Sequence, residues 1–325
     1  MENKKVKKDK IIVICGPTAS GKTFVSVELA KILNAEIISA DSMQIYRELN
    51  IGTAKPTKEE MSGIPHWLID IISVKSVESE MFSVAEYVKR AGDCAKDIIS
   101  RGKQAIICGG TGLYIDHFMK NTRFTECESD IEYRKELENL PNEELYSKLA
   151  KIDKKSVDII HMNNKKRIIR ALEIYRITGK PKSEIDIIAQ SEKSEYDFIK
   201  IGLRYDDRNL LYQRINNRVE SMLKGGLLEE AEKLYKDGEA NNIKRIGAIG
   251  YAELMDYFNG LYNFSGVVEK IKKDTRNYAK RQITWFKRDS DTVWIDIDEE
   301  SINNPDKIIK NCLKHINNNH NIYNI

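Results

Sequence analysis

Three short apolar runs punctuate the first third of the chain, and each ends in a polar turn. Ile11-Ile12-Val13-Ile14-Cys15 leads into Gly16-Pro17, Glu36-Ile37-Ile38-Ser39-Ala40 into Asp41-Ser42, and Gln104-Ala105-Ile106-Ile107-Cys108 into Gly109-Gly110. Short β-branched runs bounded by turn residues predict strands, and near-continuous apolar character predicts burial on both faces. Between them, Phe24–Leu33 and Phe82–Ser100 carry apolar residues at helical spacing. The β–α alternation predicts an α/β fold, a P-loop-type parallel sheet flanked by helices. In such sheets ligands gather beyond the carboxyl ends of the strands, where these three turns would converge.

The pattern changes after about residue 121. Residues 122–190 are highly charged and mostly helical in period, with no strong strand. Within them Asn164–Ile177 forms a basic amphipathic pattern, closed by Thr178-Gly179-Lys180-Pro181, a glycine stop followed by proline. Tyr196–Leu203 then reads as a strand that rejoins the sheet, and helices are predicted at Asn209–Leu223, Leu227–Asp237, Ala248–Asn259 and Ser265–Lys287. The chain is therefore expected to divide into an α/β core, 1–121 with 191–325, and a helical insertion, 122–190. The Asn-rich end from Asn317 to Ile325 is expected to fray.

The first turn carries the most chemistry. Gly16-Pro17-Thr18-Ala19-Ser20-Gly21-Lys22-Thr23 fits G-x-x-x-x-G-K-T, and it stands between a predicted strand and a predicted helix. Glycines there let backbone N–H groups turn inward as an anion nest, and the helix N-terminus adds partial positive charge. Lys22 reaches a second phosphate, and the Thr23 hydroxyl is placed to ligate Mg²⁺. The loop implies a phosphorylated ligand without saying what is done with it.

Three other positions face the same region. Asp41 follows the second strand, where a carboxylate could hold a metal-bound water, cap a following helix or accept a proton. Gly109-Gly110-Thr111-Gly112 could offer N–H groups and the Thr111 hydroxyl to another face of the phosphates, or could simply be a flexible turn. Arg214 and Arg218 lie four apart on one helix face, a spacing suited to a bidentate diphosphate clamp. The alternative is surface pairing with Glu220 or Asp207.

Composition narrows the classes. The chain has 325 residues, 41% hydrophobic and 32% charged, with a net charge of +3. No apolar run approaches the roughly 18–20 residues that span a bilayer. The first ten residues carry five lysines ahead of an apolar run too short for a signal peptide. The five cysteines, Cys15, Cys94, Cys108, Cys127 and Cys312, are scattered without a C-x-x-C pair, which argues against a disulfide framework or a zinc site. A cytoplasmic monomer is the expectation. Net charge decides nothing about nucleic acid, but its distribution bears on it. Positive charge collects at Lys165-Lys166-Arg167 with Arg170, and again between Lys270 and Arg288.

Taken in order, the segments are more specific than any one of them. G-P-T-A-S-G-K-T, D-S-M-Q-I-Y-R, I-G-T-A-K-P (51–56), P-H-W-L-I-D (65–70) and G-G-T-G-L-Y (109–114) come first. K-R-I-I-R-A-L-E-I (166–174), T-G-K-P (178–181), R-I-N-N-R-V (214–219), A-I-G-Y (248–251) and T-R-N-Y-A-K-R-Q-I-T-W-F (275–286) follow. The chain closely resembles the bacterial tRNA dimethylallyltransferase (tRNA isopentenylpyrophosphate transferase) family from about Lys10 to Asp289. The resemblance implies transfer of a dimethylallyl group from dimethylallyl diphosphate to N6 of adenosine 37 in the tRNA anticodon loop, with Mg²⁺ as cofactor. It further implies that Asp41 is the catalytic base, with Thr111 and Arg218 also catalytic, and that Gly16 to Thr23 holds the diphosphate. On the tRNA side it implies Asp41, Ser42, Met43, Gln44, Lys166, Arg167, Ile168, Ile169, Arg170 and Arg281, with Arg134 as a weaker candidate.

Two positions depart from the family pattern. His66-Trp67 stands where two histidines are usual, and His66 is given no catalytic role. Gly247 replaces the usual side chain before A-I-G-Y. The rival readings are a P-loop kinase or transferase acting on free adenine nucleotides, and an RNA-binding protein without transferase activity. The basic helices at 164–177 and 270–288 argue against a small acceptor. For Trp285 and Phe286, core packing is favoured over base stacking.

Overall fold

The structure, a computed structural model, describes residues 8–77, 82–124, 130–189 and 193–319. The basic segment up to residue 7, Cys127, the expected boundary at 190–191 and residues 320–325 lie outside the described residues. The chain separates into two compact units, Met1–Met119 with Glu195–Ile325, and Lys120–Ser194.

The larger unit is built on a six-stranded sheet, all of whose pairings are parallel. In chain order the strands are β1 (Lys10–Cys15), β2 (Ala35–Ser39), β3 (His66–Trp67), β4 (Gln104–Gly109), β5 (Asp197–Tyr205) and β6 (Val293–Ile297), arranged β3-β2-β4-β1-β5-β6. Successive side chains of a strand point to opposite faces, and both faces of this sheet are buried. Ile12, Ile14, Ile37, Ile106, Ile201 and Leu203 face one layer with the helices Lys22–Leu33 and Asp306–Asn319. Ile11, Val13, Ile38, Ala105 and Ile107 face the other, under Val84–Ser100, Gly112–Met119 and Phe286. This two-sided burial is why the central strands read as unbroken apolar runs.

Two edge strands escape the sequence reading. β3 is only two residues long, too short for any period. β6 alternates in the segment Val293-Trp294-Ile295-Asp296-Ile297, with Ile295 and Ile297 buried and Asp296 exposed. A helix also precedes the C-terminal end. Ile308, Ile309, Cys312 and Ile316 pack one face of Asp306–Asn319 into the core, so of the Asn-rich end residues 317–319 fall within a helix, and 320–325 lie outside the described residues. No helix among the described residues is long and apolar enough to cross a membrane.

A third core lies beyond the sheet, where Ile45, Tyr46 and Leu49 pack with the helices Leu227–Lys236, Tyr251–Phe258 and Phe264–Phe286. The last of these helices is anchored to the sheet by a buried ion pair. Lys200 on β5, 4% exposed, meets Asp289 at 2.7 Å and Asp116 at 3.7 Å, and Asp116 accepts the Trp285 indole N–H at 2.8 Å. Trp285 and Phe286 are thus packing residues.

The smaller unit is helical throughout its described elements, Ile131–Glu138, Asn142–Ile152, Lys154–Ile159, Lys165–Thr178 and Lys182–Ala189. Asn164 caps Lys165–Thr178 by accepting the Arg167 N–H, and Gly179 closes it in the left-handed region. Leu145, Leu149, Ile168, Ile169 and Leu172 form its core. Asp153 ties two helix starts together by accepting from Ser156 and Ser183.

At the carboxyl ends of β2 and β4 the backbones approach closely. A Cβ on Gly109 would lie 2.1 Å from the Ala40 carbonyl oxygen, which is rigid main chain. Gly109→Ala is therefore expected to lower the unfolding free energy by about 1–3 kcal/mol, read from chemical denaturation. An unchanged midpoint would contradict this packing.

Candidate active site

The loop between β1 and its helix takes the geometry its sequence suggests. Gly16 has φ +148, and a Cβ there would meet the Leu203 carbonyl oxygen at 2.4 Å. Gly21 serves as N-cap with φ 77, and the helix begins at Lys22 with no acidic residue in its first turn. Unmade N–H groups at such a helix start attract anions. Ala19 also has positive φ, 64, a conformation that costs a non-glycine residue free energy unless neighbours hold it. The Tyr205 hydroxyl donates to the Ala19 carbonyl at 2.8 Å, and the Ser20 hydroxyl donates to Pro17 O at 2.8 Å.

Lys22 lies folded over this loop, its ammonium donating to Pro17 O at 2.6 Å. Burial pulls it down from its ordinary value to about 8, and Arg218 pushes the same way while Asp41 opposes. Arg218 is likewise held below its ordinary range, by burial first, with Asp41 and Glu60 acting against that shift. Two cations and one carboxylate thus converge. Glu220 pairs with Lys272 and Asp207 caps its own helix at Asn209 N–H, so neither neutralises the arginine pair. Arg214, Asn217, Arg218 and Ser221 form one face of the Arg208–Lys224 helix, and with Ala19 and Gly21 they line a cleft of about 360 Å³.

Asp41 sits in the turn after β2. Its Oδ1 accepts from the Met43 N–H at 2.9 Å and the Gln44 N–H at 3.4 Å. No helix follows, so the helix-cap alternative is corrected: the carboxylate shapes a turn. Its Oδ2 has no hydrogen-bond partner among the described residues. Gln44 accepts from the Ser39 hydroxyl and donates to the Thr53 and Ala54 carbonyls, so its amide braces the 50–55 loop.

The third turn is pinned to the second. Thr111 N–H donates to Ala40 O at 3.0 Å, and Thr111 Oγ1 accepts the Ser42 N–H at 3.0 Å. The Thr111 amide is therefore committed, which corrects the expectation that it faces a phosphate; its hydroxyl lies against Ser42 and Tyr278. Burial pushes the Tyr278 and Tyr114 phenols upward and the Asp41 charge contributes to both shifts, so both stay protonated beside it.

One residue missed in the sequence joins the turns. Gln282, 6% exposed, accepts the Thr18 N–H at 2.8 Å and donates to Gly110 O at 2.9 Å. It lies inside a quoted motif, but nothing local in the sequence says which side chain of that helix turns inward.

The smaller unit treats its candidates unevenly. Lys166 and Arg167 are exposed, while Ile168 and Ile169 are buried in its core and pack instead of presenting side chains. Arg134 and Arg170 both bind the fully buried Glu173, at 2.8 and 2.7 Å. In the larger unit Arg281 is exposed, stacked over the Tyr278 ring at 5.7 Å. His66 is a packing residue at the sheet edge, its Nδ1 on Ile64 O and its pKa lowered by burial.

A six-stranded parallel sheet flanked by helices, with a glycine-bounded loop opening a helix and converging cations beside a fixed carboxylate, makes this an α/β protein with its candidate site at the carboxyl ends of the strands. Within that class the comparisons are specific. The model of the IPP transferase family matches residues 44–289, a span that begins after the P-loop. A tRNA dimethylallyltransferase of Thermoanaerobacter sp. (strain X514) is 46% identical over 312 residues, covering 94% of this chain and 97% of that protein. A solved full-length tRNA isopentenylpyrophosphate transferase of Bacillus halodurans is 40% identical with a TM-score of 0.68, covering 96% of this chain and 98% of that one. A eukaryotic dimethylallyltransferase, described as acting on tRNA, is 30% identical with a TM-score of 0.78, covering 90% and 75%. The chain belongs to the IPP transferase family.

Lys22 supplies a pH test. A bound diphosphate ester favours the charged ammonium, so Lys22 is expected to take up a proton on binding as pH rises past about 8. Affinity should be flat below that point and weaken above it, by up to about tenfold per pH unit. Calorimetric titration between pH 7 and 9 would show this, and Lys22→Arg should flatten the profile. A flat wild-type profile would refute the assignment.

Proposed function

We propose that this chain transfers the dimethylallyl group of dimethylallyl diphosphate to N6 of adenosine 37 in the tRNA anticodon loop, releasing diphosphate, as a cytoplasmic monomer. Family membership supports the reaction class and sets aside the kinase acting on free nucleotides. The observation that carries the mechanism is Asp41, a carboxylate oriented by two backbone N–H groups and close enough to Lys22 and Arg218 to shift both.

The adenine amine is a weak nucleophile because its lone pair is delocalised into the ring. As N6 forms its bond to the allylic carbon, the carbon–oxygen bond breaks and the electron pair leaves with the diphosphate. The N6 proton passes to the free oxygen of Asp41, acting as general base. Lys22, Arg218 and the open helix start meet the charge that grows on the leaving group. Thr111 holds Ser42, and through it the turn that bears Asp41.

Among the described residues no three His, Cys, Asp or Glu side chains gather as a metal site. Mg²⁺ binds through one or two protein oxygens, with phosphate and water supplying the rest. The Thr23 hydroxyl, in the first helical turn, fits that donor set. Bound there, the ion would neutralise part of the diphosphate charge.

A base inside a stacked loop must be extruded to present N6. Ser42, Met43 and Gln44 surround Asp41 and are the residues nearest such a base in sequence; Arg281, Lys166 and Arg167 are the exposed cations suited to RNA phosphates. Arg134 and Arg170, being paired to Glu173, would contact RNA only with charge left over from that pair.

The test incubates the protein with Mg²⁺, labelled dimethylallyl diphosphate and an unmodified tRNA carrying adenosines at 36 to 38. Label should appear on N6 of adenosine 37. Asp41→Asn should reduce transfer by about 10²-fold or more, with tRNA affinity within a few-fold of wild type. Transfer at the normal rate by that variant would sink the base assignment, and label on free AMP would move the acceptor.

A further inference from the structure

Among the described residues, two side chains from elsewhere in the fold hold the crest of the P-loop, through bonds of 2.8 Å each: Tyr205 at the Ala19 carbonyl and Gln282 at the Thr18 N–H. The second is the more telling. The N–H of Thr18 sits where a phosphate nest would use its donors, yet it is spent on a buried amide contributed from 264 residues away. The same amide donates to Gly110 O in the neighbouring loop and bonds the Tyr278 hydroxyl.

Resting on the diphosphate reading of this loop, we propose that Gln282 is a positioning residue that fixes the P-loop main chain against the Thr111 loop and so sets the geometry in which the diphosphate is held. The amide orientation follows from its partners. A backbone N–H donates only and a carbonyl accepts only, so Oε1 must face Thr18 and Nε2 must face Gly110. No other residue of this length offers an acceptor and a donor side by side. Glutamate would set a charged oxygen against Gly110 O; leucine or methionine would strand two buried backbone groups, each costly when unpaired. Gly110 completes the fit, since a Cβ there would lie 2.1 Å from Gln282 Nε2 and meet nothing else closer than 3.4 Å. The loop that Asp41 leans on and the loop that cradles phosphate thereby share one rigid joint.

The test measures binding apart from turnover. Inorganic diphosphate is titrated calorimetrically, and tRNA binding is measured separately, on wild type, Gln282→Ala, Gly110→Ala and the double variant. Each single change is expected to weaken diphosphate binding roughly tenfold, the scale of one lost buried hydrogen-bond pair, with tRNA affinity held within twofold. The double variant should bind no worse than Gln282→Ala alone, because removing the amide makes room for the new Cβ. Gly110→Ala keeps the test open if Gln282→Ala fails to fold. Unchanged diphosphate affinity, a loss confined to tRNA, or additive losses in the double variant would overturn the proposal. The expected pattern among the variants, together with a wild-type protein that does not prenylate tRNA, would instead refute the reaction proposed above and leave the joint standing.

Discussion

The site depends on how closely three backbones pass one another at the carboxyl ends of β1, β2 and β4. Parallel pairing sets Cys15 beside Gly109 and Ser39 beside Cys108, so the loops leaving these strands start as neighbours. Ala40 N–H then reaches Cys108 O at 2.8 Å and Thr111 N–H returns to Ala40 O at 3.0 Å. Any side chain at Gly109 would enter that space. The spacing between Asp41 and the loop 16–23 is consequently a property of main-chain register, which is far stiffer than the rotamers of exposed residues. Lys22 opens the helix after β1, while Arg214 and Arg218 come from a different element, the helix after β5, and reach the same point because β5 lies directly beside β1.

Charge explains why these groups are arranged as they are. Lys22 and Arg218 are half-buried cations that disfavour each other, and Asp41 compensates them only in part. Such an arrangement costs folding free energy. The insertion shows the contrary case. Arg134 and Arg170 share one fully buried carboxylate, so that cluster is largely satisfied within the protein. Lysine or arginine in a motif is therefore no guide to which cations remain available; the position of the nearest carboxylate decides.

That distinction marks how much was legible beforehand. The central strands, the P-loop and Asp41 announce themselves because their signals are local: an apolar run, a glycine spacing, a polar residue after a strand. β6 was overlooked although Trp294, Ile295, Asp296 and Ile297 alternate as an edge strand should, and the C-terminal helix although Ile308, Ile309, Cys312 and Ile316 repeat at helical spacing. β3 carried no period at all. Gln282, the pairing of Arg134 and the commitment of Thr111 N–H belong to a different category, since each is fixed by a partner far away in sequence.

The same reasoning bears on what the long Phe264–Phe286 helix does. Its inward face supplies Gln282 and Tyr278 to the loops, while Lys280 and Arg281 on its outward face are exposed. Lys200, held between Asp116 and Asp289, fixes the end of this helix on the sheet. A helix so anchored cannot shift its exposed cations without shifting Gln282, because consecutive helical positions move as one body. The exposed cations Lys280 and Arg281 and the geometry of the Thr18 amide are in this way mechanically joined.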